Sequence, residues 1–172
     1  MDAREIRELL IELGRRLDAR GLRGEVYLVG GAAIALGYDA RRSTRDIDAV
    51  FEPKAVIYAI AGELAEERAL DQGWLNDAVK GFLAGNDDEQ RTVLDVAGLH
   101  CAVASPRLLL AMKVLAHRIG EDADDLRLLA RELGLSDAKA ILAVAQEVYG
   151  ARLDLAARFF VEELFPDSTG LD

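Results

Sequence analysis

A short β-rich run that ends at two glycines constrains the fold of this chain more than any other feature. Val26–Val29 favours a buried strand, and Ala32–Leu36 favours a helix. Between them stand Gly30 and Gly31, which let the backbone turn sharply and approach a neighbour closely. Backbone N–H groups at the start of a helix can bind an anion. The pattern therefore predicts a strand, a glycine turn and a short helix, with a phosphate-binding site at the turn.

A second predicted strand carries two carboxylates on one face. Polar and apolar residues alternate over Asp46–Phe51, and residues two apart on a strand point to the same side. Asp46 and Asp48 therefore point together. A pair of this kind suits Mg²⁺ or Mn²⁺, because Mg²⁺ is usually bound by one or two carboxylates plus substrate phosphates. A glycine pair alone is usually a turn and an Asp-x-Asp is often a solvated face, but their close succession favours a metal and nucleotide site.

The remaining pattern predicts an α+β fold, with a small mixed sheet packed against helices and a helical C-terminal half. Sequence periodicity predicts helices over about 3–20 and 53–70, and strands over 91–96 and 99–104 that form a hairpin. Ser105 and Pro106 then suit the cap and first turn of a helix. Further helical segments are predicted over about 107–119, 122–133, 137–149 and 153–164.

The length of 172 residues favours one domain, spanning 1–172. Its sheet-containing part is expected to run to about residue 104 and its helical part from about 105 to 165. Nothing in the sequence resembles a linker or an internal repeat.

Composition narrows the class of protein. The formal net charge of −10 argues against a protein that coats nucleic acid with its whole surface. Cys101 is the single cysteine and the first residues lack a signal-peptide pattern, so we expect a reducing, cytoplasmic setting. The longest apolar run, Leu108–Ala116, is interrupted by Lys113 and is far below the roughly 20 residues of a membrane span. No membrane role is predicted.

A family resemblance follows from these residues. The stretch Val29-Gly30-Gly31-Ala32-Ala33, followed by Arg42-Ser43-Thr44-Arg45-Asp46-Ile47-Asp48, resembles the signature of the DNA-polymerase-β-like nucleotidyltransferase superfamily. Its Arg-x-Thr-x-Asp-Ile-Asp run is similar to the AbiEii-type toxin branch and to small bacterial proteins of unassigned function. The segment 109–118, followed by Asp122 and Asp125, also resembles that branch. The resemblance covers about residues 26 to 130, and the Trp74-Leu75-Asn76-Asp77 stretch is similar to a feature of the small relatives without an assigned role.

The resemblance implies site residues. Gly30, Gly31 and Thr44 would hold phosphates, and Asp46 and Asp48 would hold Mg²⁺ or Mn²⁺ and act in catalysis. Active members of the superfamily generally present a third carboxylate on a neighbouring strand. The candidate in this sequence is Asp95, and catalysis depends on whether it faces the pair.

Lys113 and Arg118 are the remaining candidates, and the resemblance gives them triphosphate binding. Lys113 stands among apolar residues on a predicted helix, so it must reach solvent or find a buried anion. A triphosphate is one such anion, and a lysine that only extends to solvent is the alternative. Asp122 and Asp125 share one helix face, where a structural role near a helix start competes with a functional one.

The function implied is a metal-dependent nucleotidyltransferase that passes NMP from an NTP to a hydroxyl on RNA or protein. The toxin branch adds a cognate antitoxin or toxin as a partner protein. A non-catalytic binding or regulatory module with the same fold is the second hypothesis. A DNA-binding role for the C-terminal helices is disfavoured by the acidic residues there, which are Glu147, Asp154, Glu162 and Glu163.

Overall fold

The computed structural model of the chain describes residues 1–83, 85–118 and 120–166. Contacts within the chain divide it into two compact units. The first comprises Met1–Leu83 and Asp88–Ala104, and the second is the remainder. The border at residue 105 is where the sequence changes from mixed strand and helix to helix alone.

The first unit is a mixed sheet with helices. Its helices are α1 (Ala3–Asp18), α2 (Gly30–Gly37) and α3 (Lys54–Arg68). Its strands are β1 (Gly24–Leu28), β2 (Ile47–Glu52), β3 (Leu75–Asn76), β4 (Arg91–Val96) and β5 (Leu99–Val103), and a short 3₁₀ helix (Ala78–Phe82) follows β3.

The sheet has the strand order β3-β2-β1-β5-β4. Strand β1 pairs antiparallel with β2 and parallel with β5, while β3 pairs parallel with β2. The hairpin of β4 and β5 is antiparallel, as the sequence predicts. This mixed sheet with helices confirms the predicted α+β class. Strand β3 and the 3₁₀ helix were not predicted.

Helix α1 shows why these residues fold as they do. Asp2 and Glu5 form a capping box in which each side chain accepts from the other residue's backbone N–H. One face of the helix is apolar and fully buried, and it packs against the sheet. The residues of that face are Ile6, Leu9, Leu10, Leu13 and Leu17.

The second unit is helical among its described residues, with α4 (Pro106–Ala116), α5 (Ala123–Glu132), α6 (Ala138–Tyr149) and α7 (Leu155–Leu164). Ser105 caps α4 as predicted, because its hydroxyl accepts from the Leu108 N–H at 3.2 Å. The cap of α6 is Asp137, whose side chain accepts from the Ala140 N–H at 2.9 Å. In the part of the chain that the structure describes, every helix is too short or too polar to cross a membrane.

The packing of the β4–β5 hairpin against α1 depends on Gly98. Its φ is +78°, and a β-carbon there would lie 2.2 Å from the Gly14 carbonyl oxygen and 2.6 Å from the Asp18 nitrogen. Because both neighbours are helix backbone, neither can yield as a flexible side chain would.

We expect Gly98→Ala to lower the free energy of unfolding by about 3 kcal/mol, from left-handed strain together with overpacking. Gly21→Ala is the matched control, since φ is +68° there and nothing lies within 4 Å of the added β-carbon. It should cost only about 1 kcal/mol. Urea denaturation of both variants measures the difference, and equal losses would show that the close approach to α1 is unimportant.

Candidate functional site

The glycine turn lies directly against two of the predicted site residues. Gly30 has φ +61°, and a β-carbon there would lie 3.1 Å from Asp48 Oδ2. A β-carbon at Gly31 would lie 2.8 Å from Thr44 Oγ1. Only glycine fits both positions without displacing these oxygens. The turn therefore places the first N–H groups of α2 beside Asp48 and Thr44.

The register of the sheet puts the carboxylates at this turn. Leu28 on β1 is paired with Ala49 on β2, and the Val29 N–H donates to the Asp48 carbonyl oxygen at 2.9 Å. Asp48 thus lies beside the end of β1, where the glycine turn begins. Asp46 precedes it by two residues, and both are half-buried. The structure brings together Gly30, Gly31, Asp46 and Asp48, as the sequence pattern indicates.

Thr44 braces the segment that leads into β2. Its hydroxyl donates to the Asp46 carbonyl oxygen at 3.0 Å, and its backbone N–H donates to the Met1 carbonyl oxygen at 2.9 Å. The hydroxyl also faces Gly31 across the turn. Thr44 therefore belongs to the same cluster, with a visible role in shaping it; phosphate binding by Thr44 stays a prediction.

Strand β3 adds a side chain that the periodicity of the sequence does not reveal. Asn76 is paired with Asp48 in the parallel register, and its Nδ2 donates to Asp46 Oδ2 at 3.3 Å. A strand of two residues is too short to show alternation. The sequence feature that points to Asn76 is the Trp74–Asp77 stretch, in which an amide follows two large apolar residues.

Asp95 lies on β4, away from Asp46 and Asp48. It is paired with His100 on β5, and His100 is level with Glu25 near the start of β1. Two strands, β1 and β5, stand between β4 and β2, and Asp48 is at the other end of β1. The Asp95 carboxylate is 61% exposed and accepts from Arg23. The sheet therefore does not bring Asp95 to Asp46 and Asp48, because its level along the strands is set by the hairpin with β5.

The donor set at the turn fits a magnesium-like cation. Among residues 1–83, 85–118 and 120–166, no group of three or more His, Cys, Asp or Glu side chains is placed to hold a metal ion. Asp46 and Asp48 supply two carboxylates on one face, which matches a Mg²⁺ or Mn²⁺ ion whose other ligands are water and substrate phosphates. Gly30 itself adds no side chain between the start of α2 and the Asp48 carboxylate.

In the second unit, Lys113 lies between two carboxylates. Its Nζ is 2.6 Å from Asp122 Oδ1 and 2.8 Å from Asp125 Oδ2. All three residues are buried. The anion that a buried lysine requires is thus found within the chain. Triphosphate binding by Lys113 stays a prediction of the resemblance.

Arg118 belongs to the same cluster. Its backbone N–H and its guanidinium donate to the Asp122 carboxylate at 3.1 Å, while the side chain remains 59% exposed. Burial by itself would raise the pKa of Asp122, but the hydrogen bonds from Arg118 and Lys113 outweigh it and hold this pKa below its ordinary value. Asp122 is therefore charged at neutral pH. A role for Arg118 with phosphate also stays a prediction.

Comparison with known proteins gives a family. The model of a family of nucleotidyltransferases of unknown function, DUF6036, matches residues 5–160. No curated protein matches the chain. Among solved structures, an antigenic nucleotidyltransferase-like protein from Paracoccidioides brasiliensis is similar, with 16% identity and a TM-score of 0.49 over 96% of this chain and 98% of that one.

Lys113→Met should lower the free energy of unfolding at pH 7 by about 3 to 5 kcal/mol, because it leaves buried carboxylates without their ammonium partner. Because the pKa of Asp122 is lowered on folding, its stabilisation is present above the unfolded pKa near 3.8 and is lost as the pH falls through the folded value. The gap between variant and wild type should therefore narrow below about pH 4.

Lys139→Met, on the exposed side of α6, is the control and should change stability by less than about 0.5 kcal/mol. Denaturant unfolding across a pH series measures both variants. A Lys113→Met protein as stable as the control at pH 7 would contradict the structural role of the cluster.

Proposed function

We propose that this chain, which belongs to the family of nucleotidyltransferases of unknown function, transfers NMP from an NTP to an acceptor hydroxyl with the help of Mg²⁺ or Mn²⁺. The observation that supports this most directly is the placement of Asp48 beside the glycine turn at the start of α2, with the Asp46 carboxylate on the same face, where both lie next to Asn76. Carboxylates for a hard cation and N–H groups for phosphate then lie in one place.

Each part of the turn has its own task in this proposal. Asp46 and Asp48 bind the cation, which when bound neutralises phosphate charge and orients the triphosphate. The N–H groups that begin α2 at Gly30 and Gly31 bind phosphate oxygens, helped by the positive end of the helix. Thr44 holds the segment that leads into β2 in place, because its hydroxyl donates to the Asp46 carbonyl oxygen.

The transfer itself is a displacement at the α-phosphorus. The acceptor oxygen forms a bond to that phosphorus, the bond to the bridging oxygen of the β-phosphate breaks, and pyrophosphate leaves. The hydroxyl proton passes to water. Positioning and electrostatic stabilisation supply most of the acceleration in phosphoryl-type transfer, so this chemistry does not require a covalent intermediate on the protein.

RNA or a protein is the proposed class of acceptor. Arginines cluster in the segment between α2 and β2 that leads to Asp46, although the whole chain carries a charge of −10. Arg41 and Arg45 are exposed, and Arg41 is paired with Asp39 at 3.0 Å. A local basic segment beside the site would favour an anionic acceptor. A toxin–antitoxin pairing, with a cognate partner protein, is the proposed biological setting.

A non-catalytic binding or regulatory module is the second candidate. It is favoured by the position of Asp95, which leaves Asp46 and Asp48 without that third carboxylate. A protein of this kind would bind a metal–nucleotide complex and release it unchanged.

Incubation with each α-³²P-labelled NTP, Mg²⁺, total RNA and cell lysate tests the proposal. We expect label on an RNA or protein band, and Asp46→Asn or Asp48→Asn should reduce it about 10³-fold or more, since each removes a charge that binds the cation. Asp88→Asn, in an exposed turn, is the control and should retain labelling.

Asp95→Asn tests whether Asp95 acts in catalysis together with Asp46 and Asp48. Labelling by this variant within about threefold of wild type is expected, because Asp95 lies on β4 at the level of the start of β1, while Asp48 lies beside the end of β1. Nucleotide binding by the wild type without any labelled product would favour the non-catalytic module, and labelling that is unaffected by Asp46→Asn and Asp48→Asn would contradict the assigned site.

A further inference from the structure

Asn76 lies where β3 meets the carboxylate pair. The parallel pairing of Asn76 with Asp48 puts its side chain on the face that carries the carboxylates, and its Nδ2 donates to Asp46 Oδ2 at 3.3 Å. Asp46 accepts here from a neutral amide, whereas Asp122 in the second unit is paired with the charged side chain of Lys113.

The orientation of the Asn76 amide is fixed by both of its ends. The Asn76 Oδ1 accepts from the Ala78 N–H at 3.1 Å, at the start of the 3₁₀ helix. A flipped amide would turn its NH₂ toward another donor and its oxygen toward a carboxylate, which loses both hydrogen bonds. Asn76 is therefore a donor to Asp46, and its own oxygen is already used.

Hydrogen bonds to helix α3 hold the chain in place both before and after Asn76. Before it, the buried Trp74 indole N–H donates to the Ala61 carbonyl oxygen at 2.9 Å. After it, Asp77 accepts hydrogen bonds from Lys54 and from the Tyr58 hydroxyl. Those two donors hold the pKa of Asp77 below its ordinary value, so this attachment is ionised at neutral pH.

We propose that Asn76 is a positioning residue of the cation site, which orients the Asp46 carboxylate through its NH₂ while adding no negative charge. This inference rests on the proposed function, since it assumes that Asp46 and Asp48 bind the cation. With two carboxylates supplied by Asp46 and Asp48, the site binds a bare divalent cation weakly and takes its remaining ligands from the NTP phosphates. The substrate is then the metal–NTP complex.

Two substitutions at Asn76 separate orientation from charge. Asn76→Ala removes the donor and releases Asp46, so Mn²⁺ binding should weaken by about tenfold, as is typical when a group that orients a metal ligand is lost. Asn76→Asp keeps an acceptor for the Ala78 N–H and adds a third carboxylate beside Asp46. Mn²⁺ binding should then tighten by about tenfold, because affinity rises with the number of charged ligands.

The measurement is titration of Mn²⁺ alone into the whole chain, followed by the loss of the free-Mn²⁺ electron paramagnetic resonance signal. Asn86→Ala is the matched control, since Asn86 is exposed and should leave the affinity within about twofold of wild type. Thermal unfolding of each variant shows that it is folded. If Asn76→Ala does not fold, Asn76→Asp still tests whether the side chain faces the cation, because it preserves an acceptor for the Ala78 N–H, and an unchanged Mn²⁺ affinity in that variant refutes the role of Asn76.

Opposite shifts at one position are expected only from a side chain that faces the cation. If both Asn76 variants bind Mn²⁺ as the wild type does, while Asp46→Asn and Asp48→Asn abolish binding, the role of Asn76 is refuted and the proposed function stands. Shifts in the same direction also refute it. If the wild type shows no Mn²⁺ binding that depends on Asp46 and Asp48, the role of Asn76 falls, and the labelling of RNA or protein by the wild type decides separately on the proposed function.

Discussion

The close approach of the backbone at Gly30 to the Asp48 carboxylate is the constraint on which the candidate site depends. A β-carbon at Gly30 would lie 3.1 Å from Asp48 Oδ2, and one at Gly31 would lie 2.8 Å from Thr44 Oγ1. A larger residue at Gly30 would be strained in the left-handed backbone and crowd Asp48, and one at Gly31 would displace Thr44. The absence of two β-carbons thus lets a helix start, with its N–H groups, lie beside the carboxylates.

Two carboxylates in this chain are held in different ways. In the second unit, Asp122 is fully buried and is bound by Lys113 and Arg118, which is the compensation that a permanently charged buried group needs. In the first unit, Asp46 is half-buried and accepts from the amide of Asn76. An amide fixes the orientation of a carboxylate and leaves its negative charge uncompensated, which suits a group that binds a cation.

The sequence predicts the parts of the site that lie within one strand or one turn. The placement of the glycines, Asp46 and Asp48 can be predicted from local rules. Side chains alternate along a strand, and glycine allows a sharp turn because it has no β-carbon. The position of Asp95 does not follow from such rules. It is fixed by pairing with His100 and so by how β5 aligns with β1. Whether a residue on a strand faces a site depends on its level in the sheet, which its own segment does not specify.

Strand β3 and the anion that Lys113 binds also could not be predicted from local sequence rules. Strand β3 has two residues and owes its place to the attachment of Trp74 and Asp77 to α3, so alternation could not reveal it. That Lys113 must either reach solvent or find a buried anion is evident from its apolar surroundings. That the anion is Asp122 together with Asp125 depends on how the chain turns between α4 and α5, which helical periodicity does not determine.

The most direct test of the cation site is anomalous diffraction from crystals soaked with Mn²⁺ and a non-hydrolysable NTP. The account predicts a manganese peak about 2.1 Å from carboxylate oxygens of Asp46 and Asp48, with triphosphate density at the N–H groups of Gly30 and Gly31. Nucleotide bound at another place, or manganese that avoids both carboxylates, would contradict it.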